Sequence, residues 1–221
     1  MNLIDEAYTL ISNRDIVMGT TDFVTNCVEG LSENPVAIAK VIVAITQMPF
    51  SLTENMFWKK YESFLKNTFK KESDRGKLCA KLTKNGAKRN NPYRLIEAIN
   101  HCDTLNKIQY LVNVSRCLIA DIIDLPTFFR CVHIITSALQ EDLEFVADNI
   151  LNKKEYGYCD TVQGLLNCGL MYESISDANG YPKYSFTPFA NLIDMYCLSY
   201  DNPERYLNVP IYRSDEPYAD E

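Results

Sequence analysis

Apolar residues recur along this chain with helical spacing up to about residue 152, and then the rhythm changes. Ile38, Val41, Ile42, Ile45 and Met48 follow an i, i+3, i+4, i+7 stripe, and Val36, Ala37, Ala39, Val43 and Ala44 make that segment apolar nearly all round. Such a helix is expected at the centre of a bundle. Further helices are expected over Leu3 to Ser12 and over 20–30. Ser51-Leu52-Thr53-Glu54 has the form of a capping box, which opens a helix to about Lys71 with Phe57, Tyr61, Phe64, Leu65 and Phe69 inward and Trp58 beside them in the core. A shorter helix carries Leu78, Cys79 and Leu82 and ends at Gly86. Asn91-Pro92 starts another, with Leu95, Ile96, Ile99 and Cys102 inward. Asp103 is placed to cap the next, which presents Ile108, Leu111, Val112, Ser115, Leu118 and Ile119. From about Pro126, the spacing of Phe128, Val132, Ile135, Leu139, Leu143, Val146 and Ile150 predicts one uninterrupted bundle helix.

Between residues 162 and 193 the pattern is that of a helix, a hairpin and a second helix. Gly169 stops a helix after Leu165 and Leu166, Leu170 to Glu173 form a strand, and Asn179-Gly180 supplies the positive φ angles of a tight turn. A second strand, YSFT, follows, and Thr187-Pro188 caps the next helix. That order is a winged-helix-like module. The fold class expected is therefore mainly α: a helical bundle over 1–152, a small winged-helix-like subdomain with a short β-hairpin over 153–200, and an acidic tail over 201–221, extended but docked in part by Tyr206, Leu207 and Tyr212.

Charge argues against the commonest use of such a module. A winged helix that reads DNA places Lys and Arg on its recognition helix and wing, because phosphate neutralisation dominates the binding free energy. Here the presumptive recognition helix, Cys159 to Cys168, offers Asp160, Gln163 and Asn167, and the wing sets Lys183 against Glu173 and Asp177. The basic residues gather elsewhere. Residues 59–94 hold Lys59, Lys60, Lys66, Lys70, Lys71, Arg75, Lys77, Lys81, Lys84, Lys88, Arg89 and Arg94 against Glu62, Glu72 and Asp74, in a chain whose net charge is −7. Lys59, Lys66, Lys70, Lys71, Lys77, Lys81, Lys84, Lys88 and Arg89 form the candidate partner-binding face. Its expected occupant is an acidic protein surface or a second copy of the chain, in preference to DNA or a membrane.

Chemistry beyond binding finds little footing. The sequence holds no GxSxG, P-loop, GxGxxG or HExxH motif, and neighbouring His101 and Cys102 point in different directions on a helix. Asp121 with Asp124, and Glu141, Asp142 and Glu144, fall at helix ends where they complement the helix dipole. Eight cysteines form no CxxC pair, and neither His101 nor His133 completes a metal spacing, so reduced structural thiols are expected, with no cofactor or metal. Reduced thiols imply a cytoplasmic location. The first fifteen residues lack a signal-peptide pattern, and the apolar run Pro35 to Phe50 falls short of the roughly 20 residues that span a bilayer.

Several segments occur together and in order: PVAIAKVIVAI, FWKKYESFLKN, the run LIEAINHCDTLNKIQYLVNVSRCLIADIIDLPTFFRCVHIITSALQEDLEFV, and the closing GLMYES with YSFTPFANLI. This combination, over roughly 30–198, resembles a family of small uncharacterised bacterial and prophage proteins with a helical bundle and a C-terminal winged-helix-like module. Members of that family follow the closing threonine with a glycine, where this chain has Thr187 and then Ala190. The resemblance implies a cytoplasmic protein of bacterial or phage origin connected with phage–host conflict, in antiphage defence or its inhibition, and assigns no catalytic residue. The function expected is that of a non-enzymatic protein-interaction factor. The alternatives are a DNA-binding transcriptional regulator using 59–94 and a membrane-active effector.

Overall fold

The computed structural model describes residues 29–31, 36–39, 52–83, 91–152 and 154–206. The expected helix at Leu3 to Ser12, most of those at 20–30 and 35–50, the capping Ser51, the stop at Gly86 and the tail beyond 206 lie outside these residues. What is described is mainly helical, with one small antiparallel hairpin near the C-terminus.

Two compact units divide between Thr136 and Ser137. The N-terminal unit contains α1 (Leu52–Thr68), α2 (Glu72–Thr83), α3 (Asn91–His101), α4 (Leu105–Ile119) and all but the last residue of α5 (Leu125–Ser137). Helices α1 and α2 each pack on both α3 and α4. The inward stripes behave as their spacing requires: Tyr61, Phe64, Leu65, Leu78, Leu82, Leu95, Ile99, Ile108, Leu111 and Phe128 are all buried. Each such large apolar side chain contributes about 1.5–3 kcal/mol. Helical residues 29–31 and 36–39 bury Leu31, Ile38 and Ala39.

Two lysines share this interior. Lys60 donates from Nζ to the carbonyls of Asn100, at 2.6 Å, and Cys102, at 2.9 Å. It thereby satisfies orphan acceptors at the end of α3, with its charge at the negative pole of the helix. Lys107 is buried along its stem and pairs with Asp103 at 2.9 Å. Asp103 is thus not the cap expected of it; Thr104 is, its Oγ1 accepting from Lys107 N at 3.2 Å. At the far end of α4, Asp121 adopts a left-handed φ of 59°, while Asp121 N and Ile122 N donate back to the carbonyls of Leu118 and Cys117. A carboxylate at a helix C-terminus opposes the dipole, contrary to the complementary role expected of Asp121, and the ion pair with Lys81 offsets it. Asp124 does play the complementary part: its Oδ1 accepts Thr127 N at 2.8 Å at the start of α5.

The long helix expected from Pro126 to Ile150 is instead two. Leu139 is extended (φ −68°, ψ 152°) and 61% exposed, and it opens α6 (Gln140–Asn149) with Glu141 and Asp142 in the first turn. Thr136 Oγ1 donates to the carbonyls of Val132 and His133, a side-chain bond that competes with the backbone ladder as α5 ends. Helix α6 packs on α7 (Asp160–Asn167) and on a π-helical turn, Asp194–Leu198. Those contacts place it in the C-terminal unit and move the division from 152 to 136.

The C-terminal unit continues through β1 (Met171–Ser176), β2 (Pro182–Phe186) and α8 (Pro188–Ile193). Phe145, Tyr156 and Phe186 form an aromatic cluster, with centroids 5.3–6.2 Å apart. Asp194 is fully buried, accepts hydrogen bonds from Ser199 Oγ at 2.7 Å and from the Tyr206 hydroxyl, and forms an ion pair with Arg205, whose Nε lies 3.3 Å away. Burial pushes its carboxyl up from the usual range, against the pull of those partners. Arg205 also donates to the Ala147 carbonyl on α6. The segment expected to begin an extended tail at 201 therefore docks as a short 3-10 turn, Pro203–Tyr206, with Tyr206 in the part foreseen for it.

Candidate functional site

The wing is built by its local sequence. After α7, Gly169 takes φ 72° while Gly169 N donates to the Leu166 carbonyl and Leu170 N to that of Leu165. This double cap ends the helix and buries Leu165 and Leu170 together. At the other end, Thr187 caps α8 by accepting Ala190 N at 3.2 Å, with Pro188 following it. The hairpin turn departs from the sequence expectation, because Gly180 alone is left-handed, at φ 81°, and Asn179 is not. Asp177 makes the turn instead: Oδ1 accepts the N–H groups of Asn179 and Tyr181, and its carbonyl accepts Gly180 N. Asp at the first position and Gly at the fourth suit a type I turn. The backbone N–H of Tyr181 holds the Asp177 carboxyl below its ordinary range.

The register then decides what the wing displays. Tyr172 faces Ser185 and Ile175 faces Lys183, with one extra residue accommodated between Glu173 and Ile175. This bulge brings Tyr172 and Ile175 onto the same face despite their odd spacing. The opposite face carries buried Met171 and Tyr184, and the latter also bridges to Tyr156. Tyr172 is 48%, Ile175 54% and, at the tip, Tyr181 67% exposed. Lys183, the basic residue of the hairpin, pairs with Asp177 at 3.7 Å. On α7, Gln163 and Asn167, the two amides able to read base edges, bind one another, Gln163 Nε2 donating to Asn167 Oδ1 at 2.9 Å, while the exposed Tyr158 hydroxyl donates to Gln163 Oε1 at 3.0 Å.

Much of the sequence-predicted basic face is spent inside its own unit. Lys66 pairs with Glu62 at 2.7 Å, Lys77 with Asp74 at 3.9 Å and Lys81 with Asp121. Arg75 stacks on Phe69 at 5.3 Å. Lys59, Lys70 and Lys71 are exposed, and no ion pair joins them to an acid among the described residues. Lys84, Lys88 and Arg89 lie outside those residues. The candidate face is thus brought together only in part, around the α1–α2 turn.

Sequence reasoning missed a third feature. Arg94 stacks on Phe129, its guanidinium carbon 3.7 Å from the ring centroid, beside Arg130 and His133 in an open groove. Pro126, Phe129, Arg130 and His133 share one face of α5, a signal present in the spacing but overshadowed by the Phe128 seam. Among the described residues no three His, Cys, Asp or Glu side chains gather as a metal site, no disulfide forms, and no helix is long and apolar enough to cross a membrane. Burial pushes the Cys102 and Cys117 thiols up to about 12, which makes them poor nucleophiles. In comparison with known proteins, no family model, curated protein or solved structure matches this chain.

Proposed function

We propose that the chain is a non-enzymatic protein-interaction factor of bacterial or phage origin, and that its wing is the principal surface offered to the partner. The observation that carries this reading is the outer face of the hairpin, where Tyr172, Ile175 and Tyr181 stand exposed and the lysine is engaged with Asp177. Aromatic residues with little net charge are what protein interfaces enrich, and phosphate-binding surfaces require the opposite. The mutual bond of Gln163 and Asn167 supports the same choice. Lys59, Lys70 and Lys71 supply a second, weaker attraction that favours acidic partners through encounter rate more than affinity. The link to phage–host conflict, in defence or its inhibition, rests on the family resemblance alone.

The test is recovery of the tagged protein from nuclease-treated bacterial lysate, with and without phage infection, beside a Tyr172→Ser/Tyr181→Ser variant. One stoichiometric protein retained by the parent and lost by the variant is the expected result. Equal recovery by both would refute the wing as the surface. Binding of a DNA duplex that falls steeply with salt and is abolished by charge reversal at Lys70 and Lys71 would replace this reading with the regulator alternative.

A further inference from the structure

A groove of about 400 Å³ opens between the first turn of α3 and one face of α5. Leu125, Pro126 and Phe129 give it an apolar lining, beside Asn91, Arg94, Arg130 and His133, and both arginines are exposed. Arg94 is held in place from two sides: its plane lies on the Phe129 ring, and Nη1 reaches Asn91 Oδ1 at 3.5 Å. Asn91 is itself buried and anchored, its Nδ2 donating to the Leu82 carbonyl at 3.1 Å. A guanidinium stacked on a ring keeps its N–H edge for a planar anion, and the ordering cost of that side chain is already met in the free protein.

We propose that this groove binds a peptide segment in which a carboxylate stands beside an apolar side chain. Arg94 and Arg130 take the carboxylate, and Leu125, Pro126 and Phe129 receive the apolar group. A phosphate fits less well for a local reason. The α5 N-terminus would ordinarily attract a phosphate, but Asp124 Oδ1 already accepts Thr127 N there and Pro126 has no N–H to give. A fixed carboxylate at that position repels a dianion more than a single carboxylate. The inference extends the protein-interaction reading to residues of the N-terminal unit, and rests on it only in taking a peptide as the ligand.

Fluorescence polarisation with the full chain tests this, using labelled octapeptides that alternate Asp with Leu, Asn with Leu, or Asp with Ser, and an eight-nucleotide thymidine strand. The Asp–Leu peptide alone is expected to saturate. Arg130→Glu, at an exposed position, should weaken it about tenfold or more. Arg94→Lys, which keeps the charge but loses the stack, should weaken it as well, and Tyr172→Ser/Tyr181→Ser should leave it unchanged. The proposal is overturned if no peptide saturates, if Asp–Ser binds equally, if the thymidine strand displaces the peptide, or if Arg130→Glu has no effect. Failure here with partner capture through the wing intact would remove the groove and spare the interaction reading. Loss of the peptide in the wing variant would move its site to the wing.

Discussion

The α1–α2 face and the wing invert each other. One is crowded with charge and, among the described residues, spends part of it on its own unit, through Lys66 to Glu62, Lys77 to Asp74 and Lys81 to Asp121. The other is poor in basic charge and leaves Tyr172, Ile175 and Tyr181 uncovered. Charge counted along a sequence therefore overstates a binding patch wherever helix turns bring acids back to the same lysines. The informative quantities are the charge left after internal pairing and the apolar area left after the core is filled. Those measures are why we propose the wing, ahead of the basic face, as the partner surface.

The largest expected effect attacks the wing's foundation. Asp194→Ala leaves Arg205 and the Tyr206 hydroxyl without their buried acceptor and should cost about 3 kcal/mol or more, read as faster hydrogen exchange in peptides spanning β1 and β2. An unchanged exchange rate there would mean that the buried acid does not hold this unit. Gly169→Ala forces a Cβ into the left-handed region and should cost about 1–2 kcal/mol in urea unfolding, whereas the same change at Gly76, in open space inside α2, should stabilise. Gly164→Ala should also destabilise, because its Cβ would run into the Asp142 carboxylate; stabilisation at that site would show that α6 and α7 can separate freely.

Asp124 sharpens the charge side of the comparison. The Thr127 hydroxyl and N–H hold its carboxyl below the ordinary range, so its contribution is complete above the unfolded value of about 3.9 and disappears as pH falls through the lower native one. Asp124→Ala should then cost about 1 kcal/mol at pH 7, with the gap to the parent closing in acid; a gap constant with pH would mean the carboxylate is not the cap. The smallest effect belongs to the surface pairs. Lys81→Ala should lose no more than about 1 kcal/mol, and less in high salt. A larger loss would make the basic face a structural device more than a binding one.

The sequence made the mainly helical class, the inward stripes of α1 to α4, the double cap at Gly169 and the Thr187-Pro188 start of α8 legible, because each follows from side-chain spacing or from one residue's backbone preference. It misled at Leu139, where apolar periodicity runs straight through a helix break set by the extended backbone of one residue. It misled also at Asn179, since the Asp177 side chain shapes the turn in a way that composition does not reveal. Buried Lys60 and Lys107 were hidden because a lysine in sequence reads as solvent-facing, and the acceptors of Lys60 belong to a helix end brought to it only by packing. The groove needed Arg94 and Phe129 to meet from different helices, and nothing local in either segment announces that contact.

The most direct test of the central claim places a photo-crosslinking benzoylphenylalanine at Tyr172 in one version of the chain and at Lys70 in another, each irradiated in phage-infected bacteria. The account predicts a discrete protein adduct from position 172 and at most a trace of it from position 70. An adduct confined to position 70, or nucleic acid captured at either position, would contradict it.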